Sequence, residues 1–428
     1  MSEYGIVCPS AIGHLNPMCA LAEELQRRNH NVTLFGIADI KNQIKNSGLN
    51  FFLIGKEEYP IGAIEEKYNS LGKLHGNEGI KFTTQIILNY AKMLFKDIPP
   101  AIKSIGIDSL IVDQFYDAGA TIAERLDLPY VTICNALLVN QEVSVPPYFT
   151  NWIYEESIWS KIRNCIGNWY LNQITNPIWQ EIQAQRKEWK LPLYNNREQV
   201  YSKLAQISQL PKELDFPRKN LANCFHYVGP LQNSSGTESI SFQNVSFPWE
   251  KLTDKPLIYA SLGTVQNKLT EVFQCIDEAV SGIDAQLVIS LGNPKNEPLD
   301  YNLSDRAIVV PFAPHQKLID RASLVITHAG MNTTVGALSA GVPMVAIPIT
   351  NEQPGIAARL ARTGAGEILS LKSLKVSKLE ASIRRVLNEK SYQENAIRLQ
   401  KAIKRAGGVK RAADIIEQAV STRKPVYA

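Results

Sequence analysis

The 428-residue chain is 45% hydrophobic and 20% charged, with a formal net charge of +4. This composition excludes a disordered or fibrous protein, the length favours two domains, and the charge is too small for nucleic-acid binding. No apolar run reaches the roughly 18 residues that a spanning helix needs, and the start MSEYGIVCPSAIGH has no leader-like segment, so a soluble, cytoplasmic chain is expected.

Tyr4 to Pro9 reads as a strand, Ser10 to His14 as a small-residue loop, and Asn16-Pro17 as the cap and first turn of a helix with Met18, Leu21, Ala22 and Leu25 on one face. Val32 to Gly36 returns as a second strand, so the chain opens with a βαβ unit and a parallel sheet. The pattern recurs at Leu110–Asp113, Ala118–Leu126 and Tyr130–Ile133. It breaks at about 143–192, a helical, apolar insertion holding five of the six tryptophans: Trp152, Trp159, Trp169, Trp179 and Trp189. Gaps of ten residues rotate successive rings around a helix, so the five cannot share a face. Some are expected in the core, and Trp152 and Trp159 are expected to line an acceptor cleft or its entrance.

A polar linker is expected at 232–247. Beyond it, strand-like Leu257–Ser261, Leu287–Leu291, Ala307–Val310, Leu324–Thr327 and Met344–Ile347 alternate with helical stretches. The reading is therefore α/β: a Rossmann-like domain over 1–231, a second over 248–405, and a C-terminal helix within 406–428 packing back on the first domain. Ligands are expected at the carboxyl ends of strands facing the cleft. Lys372–Lys424 holds 14 Lys/Arg against 5 Asp/Glu; solvated helix faces account for this, and a weak attraction to an anionic membrane surface is the sharper alternative. The six cysteines have no paired spacing and read as reduced, buried thiols.

After Leu324–His328 come a tight turn, Ala329 to Asn332, and a helix from Thr333 to Ala340 closed by Gly341. Such a turn lets backbone amides approach an anion at the positive end of a helix, a phosphate site in outline. His14 lies at the end of the first strand, where an imidazole could take a proton if a carboxylate oriented it. Asp113 ends a strand of the same half, and Asp117 is its rival.

His328-Ala-Gly-Met-Asn-Thr-Thr, Gly341-Val-Pro-Met-Val and Pro348 to Pro354 resemble the donor-binding signature of family 1 glycosyltransferases. Gly13-His14-Leu-Asn-Pro17 and Ala260-Ser-Leu-Gly-Thr264 resemble that family's other landmarks, in the same order, and Glu352-Gln-Pro-Gly-Ile-Ala-Ala-Arg359 is similar to the bacterial zeaxanthin glucosyltransferase branch. The resemblance implies the GT-B fold, two Rossmann-like domains facing across a cleft. It also implies inverting, metal-independent transfer of a hexose, glucose from UDP-glucose, to a hydroxyl of an apolar acceptor such as a carotenoid, terpenoid, sterol or polyphenol, with no bound cofactor.

By the same resemblance, His14 is the general base and Asp113 its partner. Phe312 stacks on the base and the Ala313 backbone reads its edge. His328, Gly330, Asn332, Thr333 and Thr264 surround the pyrophosphate, while Glu352 and Gln353 hold the sugar. Gly336 stands where plant members have a ribose-binding Glu, and His315 replaces a Gln at the donor site. Two rivals are a nucleotide-sugar epimerase of the same fold and a non-catalytic binder of an apolar metabolite.

Overall fold

The protein, a computed structural model, is described over residues 1–232, 246–265, 267–292 and 301–428; most of the expected linker, 233–245, lies outside the described residues. The first half lays down β1 (Glu3–Val7), α1 (Ile12–Arg27), β2 (Asn31–Gly36), α2 (Lys41–Asn46), β3 (Asn50–Leu53), α3 (Ala63–Leu71), α4 (Gly76–Ile105), β4 (Ser109–Asp113), α5 (Asp117–Arg125), β5 (Tyr130–Cys134), α6 (Ile158–Ile174), α7 (Asn176–Glu188), β6 (Gln206–Ser208) and β7 (Phe225–Tyr227). The second adds β8 (Leu257–Ser261), α8 (Thr270–Val280), β9 (Gln286–Ser290), β10 (Ile308–Val310), α9 (His315–Ile319), β11 (Leu324–Thr327), α10 (Met331–Ala340), β12 (Met344–Ala346), α11 (Gln353–Thr363), β13 (Gly366–Ile368), α12 (Val376–Asn388), α13 (Lys390–Ala406) and α14 (Gly408–Thr422).

These strands form two parallel sheets, β3-β2-β1-β4-β5-β6-β7 and β10-β9-β8-β11-β12-β13. Helices cover both faces, so strands such as β4 are buried along their whole length and read as apolar runs. Each sheet starts in its middle, grows to one edge and then crosses back. The strand order therefore reverses between β1 and β4 in one sheet and between β8 and β11 in the other, opening a crevice at the carboxyl ends of each pair.

Three features of the assembly go beyond the strand pattern. Helix α1 starts at Ile12 with Ala11 as its N-cap, so Asn16 is not the cap and Pro17 lies inside the helix. A proline there has no N–H for the carbonyl four residues back, which leaves the Gly13 oxygen open to another partner. Helix α14 returns to the first half, burying Val409, Ala412, Ile416 and Ala419 in one core with Leu21, Leu25 and Val32.

A continuous apolar core also joins the halves, with Leu137, Leu210 and Phe225 packed among Val325, Met331 and Ile356. Inside this junction Asp215 accepts from Arg359 Nε at 2.7 Å and from Arg218 Nε at 3.1 Å. Burial pushes the Asp215 carboxyl up, but Arg218 and Arg359 outweigh it and hold its pKa down at about 2.

All six cysteines are free, but Cys165 is exposed and Cys275 half-buried, which corrects the expectation that every thiol is buried. Among the described residues no helix is long and apolar enough to cross a membrane.

Candidate active site

A cavity of about 500 Å³ opens between the two sheets, lined from both halves by residues at or just beyond the two strand-order reversals. His14 stands on the first turn of α1, beyond the end of β1, and Asp113 is the last residue of the neighbouring β4. The chain brings them together across 99 positions: His14 Nδ1 lies 2.7 Å from Asp113 Oδ2. Asp113 is fully buried and is fixed by two further donors, Asn135 Nδ2 to Oδ2 at 2.7 Å and the Phe115 N–H to Oδ1 at 2.9 Å. Burial pulls the His14 pKa down, but the Asp113 charge and hydrogen bond push it further up, so the net shift is upward; the Glu352 charge adds to the rise. The Phe115 ring meets the imidazole edge-on at 5.6 Å.

Asp117 has no bond to His14. It sits at the start of α5 and lines the same cavity with Arg197 and Glu198. Burial pushes its carboxyl up to about 6, with Arg197 pulling against that and Glu198 adding to it. These three ionisable groups lie on the wall built by the first half. The sequence offered no spacing that would link residue 117 to 197 and 198.

Across the cavity, β11 feeds α10 through a turn in which Ala329 adopts φ +64°, a conformation uncommon for a residue with a Cβ. The first-turn amides of α10 have no partners within their own helix. The His328 ring is clasped between two glycines: a Cβ added at Gly263 would lie 2.7 Å from its Cε1, and one at Gly330 only 2.6 Å from its Nε2. Burial lowers the His328 pKa to about 4, so the ring is neutral near pH 7 and meets an anion as an N–H donor, not as a cation. His328 Nδ1 is buried without a hydrogen-bond partner.

His315 opens α9, and its Nδ1 lies 2.9 Å from the Tyr259 hydroxyl; burial lowers its pKa to about 4 as well. Phe312, Ala313, Thr264, Thr333, Glu352 and Gln353 line the same cavity. Gln353 Oε1 accepts the N–H groups of Ile349 and Thr350 at 2.9 and 3.0 Å, which shapes the loop in front of α11. Burial raises the Glu352 pKa, opposed by the nearby His14. At Gly336 a Cβ would approach Gln316 Oε1 at 3.0 Å, so the Gln316 amide stands beside the place where the plant pattern has a carboxylate.

Asn332, expected around the pyrophosphate, lines the cavity with its side chain engaged between the two halves. Its Nδ2 donates to the Gly13 carbonyl at 3.0 Å, and its Oδ1 accepts from Gln209 Nε2 at 3.0 Å. The oxygen orphaned by Pro17 is thus taken up by the opposite half, one residue from His14. Sequence reasoning missed Asn135 and Gln209, since neither falls in a motif; both lie just beyond strands β5 and β6, where an α/β sheet collects its site residues.

Trp152 and Trp159, expected at the acceptor cleft or its entrance, are not among the residues lining the cavity itself. Trp152 packs against Gly167 with the Arg163 guanidinium over its ring at 4.9 Å, and Trp159 is 79% exposed on α6. Trp179 and Trp189 pack against the core of the first half. The apolar wall of the cavity comes instead from Tyr68, Ile80, Ile87, Tyr90, Val139, Leu171 and Ile178.

Residues 6–410 match the family model described as UDP-glucoronosyl and UDP-glucosyl transferase. The chain is 32% identical over its whole length to zeaxanthin glucosyltransferase of Pantoea ananas, covering 98% of that protein, and 30% identical to the zeaxanthin glucosyltransferase of Pseudescherichia vulneris, covering 100% of each. Among solved structures, the calicheamicin glycosyltransferase CalG4 superposes with a TM-score of 0.74 at 20% identity, over 99% of this chain and 100% of that one, which bears on the fold alone.

Proposed function

For this chain, which belongs to the UDP-glucoronosyl and UDP-glucosyl transferase family and is a glycosyltransferase, we propose inverting, metal-independent transfer of glucose from UDP-glucose to a hydroxyl of an apolar acceptor of the carotenoid or terpenoid kind. The observation that carries this reading is the pair of half-buried His14 and buried Asp113 at one strand-order reversal, facing the N-terminus of α10 at the other. The names of the two zeaxanthin glucosyltransferases and the apolar wall of the cavity support the acceptor class.

With Nδ1–H donating to Asp113, the His14 Nε2 lone pair is left to accept the acceptor's hydroxyl proton as its oxygen attacks the anomeric carbon. Asp113 then stabilises the imidazolium and fixes the ring. The C–O bond to the leaving diphosphate breaks on the opposite face, which inverts the anomeric centre. Charge arriving on the diphosphate meets the α10 amides, the helix dipole and the neutral His328, preorganised donors that supply stabilisation without a metal. Phe312 stacks on the base, Ala313 reads its edge, and Thr264, Gly330 and Thr333 close around the phosphates. Asn332 contributes its backbone N–H there while its side chain holds Gly13. Glu352 and Gln353 hold the glucose hydroxyls.

The test is an assay of EDTA-dialysed protein with UDP-glucose, with and without zeaxanthin in micelles. UDP release only with acceptor, with the product's anomeric proton showing inversion, is expected. Sugar isomerised without acceptor, or activity restored only by Mg²⁺ or Mn²⁺, overturns the reading.

A further inference from the structure

Helix α6 is turned inside out for a helix in water. Its buried residues are Ser160, Asn164, Gly167 and Leu171. The opposite row is Ile158, Ile162, Ile166 and Trp169, exposed to 75%, 45%, 61% and 62%, with Trp159 beside it. Stripes of this kind normally face a core, and contiguous exposed apolar surface marks an interaction site.

The orientation is locked by polar bonds that a rotation would break. The Ser160 hydroxyl donates to the Glu155 carbonyl at 2.6 Å, and Asn164 Nδ2 donates to Val143 O at 3.1 Å. Gly167 is needed where Pro147 and Trp152 press in, since a Cβ there would lie 2.7 Å from Pro147 and 2.9 Å from Trp152.

Charge says what covers this face. The segment IWSKIRNCIGNWYLNQI carries Lys161 and Arg163 and no acidic residue. Glu155 and Glu156 precede the helix, the second paired with Lys219 at 3.0 Å, so the charges on α6 itself are cations. Ile162 and Ile166 between two tryptophans on such a helix match the boundary between anionic headgroups and acyl chains, where an amphipathic helix lies in the plane of the bilayer. The last turn of the same helix supplies Leu171, from its buried face, and Asn172 to the cavity wall, so the helix that carries the exposed stripe also borders the cavity.

We propose that α6 docks the protein on an anionic membrane surface, bringing the cavity to acceptors dissolved in the bilayer. The purpose rests on the apolar-acceptor reading; the docking does not, and it is tested without acceptor. The full chain is floated with vesicles of phosphatidylcholine alone and of phosphatidylcholine mixed with phosphatidylglycerol, beside the variant Ile162→Ser/Ile166→Ser/Trp169→Ser and the control Lys410→Glu/Arg411→Glu on α14. The expected result is that the wild type and the α14 control float with the anionic vesicles, while the α6 variant partitions roughly tenfold less or weaker and keeps wild-type melting and turnover of a water-soluble phenol. The proposal is overturned if the wild type floats with neither vesicle, including the case in which ultracentrifugation shows a dimer that the α6 variant abolishes. It is also overturned if the α14 control, and not the α6 variant, loses flotation.

Discussion

Around His328 the wall of the cavity supplied by the second sheet is shaped by backbone: two glycines against one imidazole, a turn at Ala329 with φ +64°, and the first-turn amides of α10, much of it within 328–333. The wall supplied by the first sheet presents side chains from scattered places, among them Tyr68, Ile87, Val139, Leu171 and Ile178. A diphosphate needs donors at fixed positions, and short loops with small residues provide them, so that wall tolerates little change. An apolar acceptor needs only shape and area removed from water, which many side-chain sets can supply.

The sharpest way to break this contrast is at the pair between the walls. His14→Ala is expected to lower kcat by about two to four orders of magnitude while nucleotide affinity stays near wild type; full turnover in a folded variant would remove the general-base role. The base works in its neutral form, so kcat should rise as pH climbs through the raised His14 pKa. Asp113→Asn removes the charge that raises it, so the acid limb of the profile should move to lower pH and the plateau should fall; an unmoved limb would mean that Asp113 does not set the titration.

On the backbone wall, Gly330→Ala places a Cβ 2.6 Å from the His328 ring, which backbone on either side prevents from yielding. Overpacking of this kind costs about 1–3 kcal/mol, roughly five- to 150-fold in the Michaelis constant for the donor. The acceptor constant should hold, and equal losses on both substrates would show that the walls are not separable.

Asn332→Ala should cost about 1–2 kcal/mol of stability, since it leaves the Gly13 carbonyl and Gln209 without their partner. Pro17→Ala restores an N–H four residues from Gly13, so it should offset part of that loss in the double variant. Strictly additive melting shifts would sink the linkage between the two residues.

The smallest effect is expected on the side-chain wall. Ile87→Val should raise the acceptor constant several-fold, since the one methylene left uncovered is worth about 0.8 kcal/mol, and should spare the donor. No change, or a change in the donor constant alone, would assign Ile87 to packing.

What could be read from the chain alone follows the same division. Parallel strands buried on both faces are apolar runs at regular intervals, so β1, β2, β4, β5, β8 and β11 were legible, and the turn into α10 was legible because phosphate chemistry confines it to a few residues. Short β6 and β7 carried too little periodicity to stand out. The start of α1 was misplaced because Asn16-Pro17 has the local form of a helix start, whereas the bond from Asn332, 319 positions from Gly13, lets the proline sit in the second turn.

Sequence by itself determined the βα order, the two series of strands, and the candidate residues His14, Asp113 and His328, because these depend on local periodicity and on short loops. Only the tertiary structure decided which atoms meet: that Asp113 and not Asp117 bonds His14, that Asn332 grips the opposite half, and that α6 turns its isoleucines outward. Amphipathic spacing states that a helix has an apolar face, but the direction of that face is set by what the other face can bond. In α6 this is a buried serine and a buried asparagine whose partners lie outside the helical pattern.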